Sequence, residues 1–353
     1  MKRLLFVLLT VFFAVSVSAQ APANYYNSTT GLTGDPLKVA LHNIIKGHTS
    51  ISYAQLWNAF WSTDNKGNGI VWDMYSDRPG GTPAYVFELG MDQCGNYDSE
   101  GDCYNREHSW PQSWFNNDGT PRTDLHHIFP VDGYVNNKRS NYPFGEVGSA
   151  SWTSTNGSKL GTSKTPGFSG TVFEPIDEYK GDFARAMMYM SVRYYGEDGG
   201  WKNSEMTDKS VLKSWAIKLL LRWNKQDPPS PKEIERNNVI YDDYQHNRNP
   251  FVDYPEFADR IWDPNWNGTG EVGPQTPAIK VYPNPASQGG KVHLEVPKDQ
   301  VDQVCISDLC GKVVMKEAID ETIQLPKHLS CGCYNLQLLH GERVVTNMKL
   351  LIN

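Results

Sequence analysis

Positive charge is in short supply along this chain: 33 lysines and arginines stand against 40 aspartates and glutamates, a net charge of −7. A broad basic surface of the kind that grips nucleic acid without sequence preference is therefore excluded. The deficit is not confined to one region. Residues 263–353 hold eight basic and ten acidic residues and Met1–Ala19 two basic ones, which leaves residues 20–262 with 23 basic against 30 acidic. Long apolar runs are also lacking. Outside Met1–Ala19 no stretch is apolar enough to cross a bilayer as a helix. There is no H-E-x-x-H, and the spacings C-x4-C and C-x-C are not those of zinc knuckles or ribbons, which argues against a zinc hydrolase.

The chain has 353 residues, more than one domain usually needs, and two folded units are expected. Met1–Ala19 begins Lys2-Arg3, continues L-L-F-V-L-L-T-V-F-F-A-V and ends in small residues before Gln20. That order reads as a cleaved secretory signal, with an uncleaved anchor as the alternative. Export makes disulfides the expected state of the six cysteines. Cys94 and Cys103 flank the turn-rich G-N-Y-D-S-E-G-D and are expected to bridge locally, whereas Cys305, Cys310, Cys331 and Cys333 leave their pairing open.

The body of the chain reads as helices around a short β-containing centre. Asp35-Pro36 is placed at the start of a helix whose Leu37, Leu41, Ile44 and Ile45 share a face, stopped by Gly47. Ser52 with Gln55 forms a capping box for a second helix carrying Leu56, Trp57 and Phe60. I-V-W-D-M-Y and A-Y-V-F-E-L read as strands, and Asn156 to Thr171 as a Ser/Thr/Gly surface loop. Further helices are expected from Asp182 (core stripe Phe183, Met187, Met190, Tyr194), from Asp208 (Leu212, Trp215, Leu219, Trp223) and from the capping box Ser230-Pro231-Lys232-Glu233. Arg185 and Arg193 lie off the first stripe and are equally consistent with a solvated face or an interior role. Q-H-N-R-N-P-F-V-D-Y-P-E-F reads as an extended polar turn.

Between Cys103 and Glu146 lie C-Y-N-R-E-H-S-W-P-Q-S-W-F and T-D-L-H-H-I-F-P-V-D-G-Y-V-N-N-K-R-S-N-Y-P-F-G-E. Here a carboxylate, a histidine beside it, a His-His pair and an Asn-rich basic segment share a short span. Hard metal ions need carboxylate and amide oxygens, and hydrolysis near neutrality needs a base that is half free there. Lys138 and Arg139 follow at once and can hold an anion. The composition is that of a metal-assisted phosphodiesterase.

E-H-S-W-P, D-L-H-H and Y-V-N-N-K-R-S-N-Y closely resemble the endonuclease I family of secreted or periplasmic non-specific nucleases, which have a ββα-metal active site. R-N-N-V-I-Y and the polar turn after it extend the resemblance over Tyr25 to Trp262. The resemblance implies that Glu107 and Asn136 bind one divalent ion, usually Mg2+ (Mn2+ or Ca2+ being alternatives), and that His108 is the general base. It further implies that His126 orients the site, that Arg139 contacts phosphate or product, and that Asn141 braces the loop beside the phosphate. Arg122 is the nearest candidate for the family's extra phosphate-stabilising arginine. His127 receives no role. DNA and RNA are the implied substrates, cut with little sequence preference to 5′-phosphate and 3′-hydroxyl ends.

Asp263 to Pro277 is a Gly/Pro/Thr linker by composition. From Ile279 short strands alternate with turns, as in a small β-sandwich. V-Y-P-N-P, I-S-D-L-C-G-K-V-V and G-C-Y-N-L-Q-L-L…K-L-L-I-N resemble the C-terminal sorting domain of the type IX secretion system. The whole is thus expected to be an α+β protein: signal 1–19, mainly helical nuclease 20–262 with a ββα-metal core, linker 263–277 and an all-β immunoglobulin-like sandwich 278–353. A monomer is expected, exported through the periplasm to the surface or medium, with the outer-membrane secretion machinery as partner. The rival reading is a catalytically weak surface protein that uses both units for adhesion or carbohydrate binding.

Overall fold

The computed structural model describes residues 21–263 except 23 and 118, and residues 280–353 except 296–301, 309–311, 320–321 and 341–342. The proposed signal, Cys310 and nearly all of the proposed linker lie outside the described residues. The chain divides into two compact units, Met1–Gly270 and Glu271–Asn353. It is a mixed α+β protein, and no helix among the described residues is long and apolar enough to cross a membrane.

In the first unit, α1 (Gly34–Ile45) and α2 (Gln55–Thr63) precede a strand pair, β1 (Tyr104–His108) and β2 (Ile128–Asp132), and β2 runs directly into α3 (Gly133–Arg139). The strands are antiparallel, with Glu107 opposite Phe129 and His108 opposite Ile128. Period-2 alternation sends the side chains of β2 into two different apolar clusters. Phe129 and Val131 join the large core, whereas Ile128 joins a smaller one with Leu56, Phe60 and Tyr104. Asp132 ends the strand and caps the helix, its Oδ1 accepting the amide of Val135 at 2.9 Å. The helix stops at Ser140, where φ is 52°. The capping box at Ser52 is present in both directions, Ser52 N to Gln55 Oε1 at 2.7 Å and Gln55 N to Ser52 Oγ at 3.3 Å.

The remaining elements are β3 (Val147–Thr153), β4 (Lys159–Ser163), β5 (Thr171–Glu174), α4 (Lys180–Arg193), β6 (Thr207–Asp208), β7 (Val211–Leu212), α5 (Ser214–Gln226), α6 (Pro231–Val239), α7 (Pro250–Asp253) and α8 (Phe257–Trp262). Every residue of α4 is buried, charged ones included. Arg185 is enclosed because Glu233 accepts from its Nε and Nη2 at 2.7 and 2.6 Å. Arg193 is buried beside His48 and Glu197. Both arginines are therefore interior.

Four expectations about secondary structure in this unit need correction. Residues 70–75 and 84–89 meet only at an isolated bridge, Ile70 to Glu88, between glycines with positive φ at 69 and 90 that turn the chain away. The segment after Asn156 is not a loop, since it supplies β4 and β5 of a β3-β4-β5 sheet. A Cβ on Gly161 would lie 2.1 Å from the carbonyl oxygen of Ser149, so composition that reads as loop instead permits close strand contact. The helix expected from Asp208 starts at Ser214, because Lys209 adopts φ 52° and folds β6 onto β7. The expected polar turn after Gln245 contains α7, where Asn249 caps the amide of Phe251 at 3.0 Å, and α8.

The second unit contains β8 (Lys280–Tyr282), β9 (Lys291–Glu295), β10 (Gln303–Ser307), β11 (Val313–Ala318), β12 (Thr322–Gln324), β13 (Gly332–His340) and β14 (Arg343–Ile352). They form two antiparallel sheets, β11-β10-β13-β14 and β12-β9-β8. Alternate residues of both sheets, among them Val292, Leu294, Ile306, Leu336 and Leu350, fill one core. Cys305, Cys331 and Cys333 are free thiols, contrary to the expectation of full pairing. Cys305 stands opposite Gln337, four residues along β13 from Cys333. That offset is about 13 Å at strand rise, too far for a bridge.

Candidate active site

Adjacent residues of a strand point to opposite faces, so β1 delivers Asn105 and Glu107 to one side and Arg106 and His108 to the other. On the first side α3 supplies the partners. Glu107 is 2% exposed, and its Oε1 receives the Tyr75 hydroxyl at 2.9 Å and Arg139 Nη1 at 3.0 Å. Burial raises its carboxyl to about 6, with Arg139 and the Tyr75 hydrogen bond opposing the rise. Asn136 donates Nδ2 to Asn105 Oδ1 at 2.7 Å. Arg139 is 1% exposed and directed inward: Nη1 also donates to the carbonyl of His108 at 3.0 Å, Nη2 donates to that of Ser109, and the guanidinium lies over Phe144.

On the other side His108 is 3% exposed among Tyr53, Phe115 and His127, whose ring centroids lie 6.2, 6.1 and 5.5 Å from its own. Its Nε2 meets the carbonyl oxygen of Arg122 at 3.1 Å, so Nε2 carries the proton and Nδ1 the lone pair. Nδ1 is buried without a hydrogen-bond partner. Burial, reinforced by His127, lowers the imidazole to about 3, so it is neutral throughout the physiological range. Cys94 and Cys103 are joined by a disulfide, which fixes the chain immediately ahead of β1.

Two one-turn helices, Thr120–Thr123 and Leu125–His127, bring the Arg122 carbonyl and His127 beneath this face. The turn is held by Asp124, which is wholly buried. Its Oδ1 accepts the amide of His126 at 3.1 Å and Gln245 Nε2 at 3.0 Å, and its Oδ2 accepts the hydroxyls of Tyr189 and Tyr194 at 2.9 Å each. His126 faces away from the cleft, against the ring of Tyr189 with Nε2 on the Asn247 carbonyl at 3.2 Å. These partners belong to the Asp124 network, while the unassigned His127 is the ring in contact with His108. The Arg122 side chain is exposed, its guanidinium carbon 4.5 Å from the Tyr53 ring centroid. Asn141 is exposed and, with Arg106, Glu107, His108, Asn136 and Arg139, lines one open cleft.

Among the described residues no three His, Cys, Asp or Glu side chains cluster to hold a metal. A magnesium-type site needs fewer, since that ion keeps several waters and takes one or two carboxylates. The Tyr75 and Arg139 bonds to Glu107 both fall on Oε1, and Asn136 commits its amide nitrogen to Asn105. Glu107 Oε2 and Asn136 Oδ1 therefore remain as hard oxygens on the cleft both residues line. Sequence reasoning missed Tyr75, Asn105, Arg106, His127 and Tyr53. Asn105 carried a signal, two residues before Glu107 on the same strand face. Tyr75 carried none, because it reaches Glu107 across 32 residues from an irregular segment.

Residues 33–256 match the family model described as Endonuclease I, and residues 280–353 the one described as Secretion system C-terminal sorting domain. The chain is 42% identical over 262 residues to an extracellular ribonuclease of Bacillus amyloliquefaciens, covering 70% of this chain and 81% of that protein. It is 40% identical over 250 residues to an extracellular ribonuclease of Bacillus subtilis (strain 168), covering 67% and 78%. Against Endonuclease-1 of Buchnera aphidicola subsp. Baizongia pistaciae (strain Bp) it is 32% identical over 130 residues, covering 37% and 46%. The chain is a secreted or cell-surface nuclease, a member of the endonuclease I family that carries a C-terminal secretion sorting domain.

Proposed function

We propose that the first unit is a metal-dependent endonuclease that hydrolyses DNA and RNA with little sequence preference, leaving 5′-phosphate and 3′-hydroxyl ends. The observation that carries this reading is one cleft lined by Glu107, Asn136 and His108, with a hard oxygen free on each of the first two and the buried Nδ1 of His108 left without a hydrogen-bond partner. The names of the two Bacillus relatives support RNA as a substrate. When bound by Glu107 and Asn136, a divalent cation would neutralise charge on the scissile phosphate and the departing oxygen.

The residues of the chain do the rest. His108 Nδ1 takes a proton from the attacking water as its oxygen bonds to phosphorus, the P–O3′ bond breaks, and the 3′ oxygen takes up a proton from solvent. The Arg122 carbonyl keeps Nε2 protonated and so keeps Nδ1 free as the proton acceptor. Tyr75 and Arg139 hold Glu107 ionised and aimed at the cleft. Arg139, turned inward, acts through Glu107, which leaves Arg122 and Asn141 as the exposed contacts to phosphate. Strand pair and α3 constitute the ββα-metal core in this reading, His126 steadying it from behind through Asp124.

The proposed division is signal 1–19, nuclease 20–262, linker 263–277 and an immunoglobulin-like sandwich 278–353 that addresses a monomeric enzyme to the outer-membrane secretion machinery. The deciding experiment is nicking of supercoiled plasmid and cleavage of RNA, with and without chelator, for wild type, Glu107→Gln and Asn136→Ala. Cutting that survives both chelation and Glu107→Gln would sink the metal-dependent reading.

A further inference from the structure

In a chain with a net charge of −7, two arginines beside the cleft have no carboxylate partner among the described residues. Arg106 and Arg122 instead share one aromatic ring. Their guanidinium carbons lie 3.6 and 4.5 Å from the Tyr53 ring centroid, and Arg106 is also 4.3 Å from the ring of Trp57. The two charges are thus within about 8 Å of each other, inside a Debye length and unneutralised. The arrangement is built rather than incidental. Arg106 Nη1 donates to the Tyr53 carbonyl at 2.8 Å, and Tyr53 stacks on His108 with the rings 23° from parallel. Arg106 also lines the cleft.

We infer that Arg106, Tyr53 and Arg122 form a phosphate clamp that takes a backbone phosphate of the nucleic-acid strand next to the scissile one, with Tyr53 as the positioning residue that sets the spacing of the two guanidinium groups. This rests on the proposed nuclease reading and deepens it. Planar guanidinium groups suit bidentate phosphate binding, and an aromatic shelf keeps them oriented without neutralising them. Such a clamp would let an acidic enzyme hold its polyanionic substrate locally, with no basic surface elsewhere. It reads no base, consistent with cutting that ignores sequence.

The test is steady-state cleavage of a short labelled oligonucleotide across a salt series, with Tm measured in parallel. Arg106→Gln and Arg122→Gln are each expected to raise KM about five- to tenfold, and Arg106→Gln to keep kcat within about threefold. Each should also flatten the slope of log Kd against log salt by about 0.7–0.9 for every phosphate that is no longer neutralised. Kd is read by anisotropy in EDTA, so that binding is measured without cleavage. Tyr53→Leu should give the KM effect of both arginines, whereas Tyr53→Phe, which keeps the ring, should match wild type. If Arg106→Gln lowered Tm and kcat but left KM and the salt slope unchanged, Arg106 would be a staple between β1 and α2 and the clamp would be wrong. If all four variants bound and cut like wild type, the clamp would fall while the nuclease reading stood. A wild-type protein that neither binds nor cuts the oligonucleotide would overturn the nuclease reading and the clamp with it.

Discussion

Replacing Arg139 by methionine keeps a side chain of similar length in the core and removes only the guanidinium. In the native protein that group is the sole cation paired with Glu107 among the described residues, and it also binds the carbonyls of His108 and Ser109. Loss of one partner from a buried ion pair costs about 3–5 kcal/mol, because the other charge is left behind. Part of that cost can be escaped by protonation. The native Glu107 carboxyl already sits at about 6. Without Arg139 it rises further, so at pH 8 the variant must hold an unpaired buried charge or bind a proton at about 1.4 kcal/mol per unit of gap. At pH 5 the carboxyl is largely protonated in both proteins, and the deficit shrinks to lost hydrogen bonds, about 1–2 kcal/mol. A unit of this size shifts by about 2–4 °C per kcal/mol. Calorimetry in EDTA should therefore show Arg139→Met about 10 °C less stable at pH 8 and less than half as much at pH 5. Divalent-ion affinity and activity at pH 8 should fall together. An equal deficit at both pH values would refute the assignment of Arg139 as the counter-ion of Glu107.

The metal-free wild type carries a related signature. Because folding raises Glu107 from 4.5 to about 6, its contribution is fully present below pH 4.5 and lost as pH rises through 6. About 2 kcal/mol should disappear from denaturant-measured stability over that range and return on adding a divalent ion. His108→Ala should abolish plasmid nicking while calorimetric metal affinity stays near wild type; a residual rate within tenfold of wild type would remove His108 as the base. Reducing Cys94–Cys103, nine residues apart, should cost about 2–3 kcal/mol and lower Tm, and an unchanged melting curve after verified reduction would show the bridge to be dispensable. A chain truncated to residues 20–262 should fold and cut as the whole does but stay in the periplasm of a host with the type IX system; normal export of the truncated chain would contradict the role given to residues 278–353.

What was legible in the sequence was local. Glu107, His108 and Asn136 sit in short motifs whose residue types already imply metal and base, and the structure brings all three to one cleft. Caps at Ser52 and Ser230 were readable because capping is a matter of three-residue spacing. The inward turn of Arg139 was not readable, because its carboxylate partner lies 32 positions earlier on a separate strand. The interior position of Arg185 and Arg193 was hidden for the same reason: Glu233, which encloses Arg185, is 48 residues away. His126 and His127 could not be told apart by type, since one step along a tight turn decides which ring meets His108 and which meets Tyr189. Short strands such as β6 and β7 were lost to helix periodicity, which a run containing Leu212 and Trp215 satisfies by chance.

Because β1 alternates, the division of labour between Glu107 and His108 depends on parity. One residue inserted or deleted between Tyr104 and Glu107 would exchange the two environments, sending the carboxylate into the aromatic pocket and the imidazole against α3. The strand cannot absorb such a change at its leading end, where Cys103 is bridged to Cys94 and the Tyr104 amide is held by the Asp92 carbonyl at 2.9 Å. Nor can it do so at its trailing end, where Arg139 grips the carbonyls of His108 and Ser109. The segment should therefore tolerate substitution far better than any shift in frame along the strand.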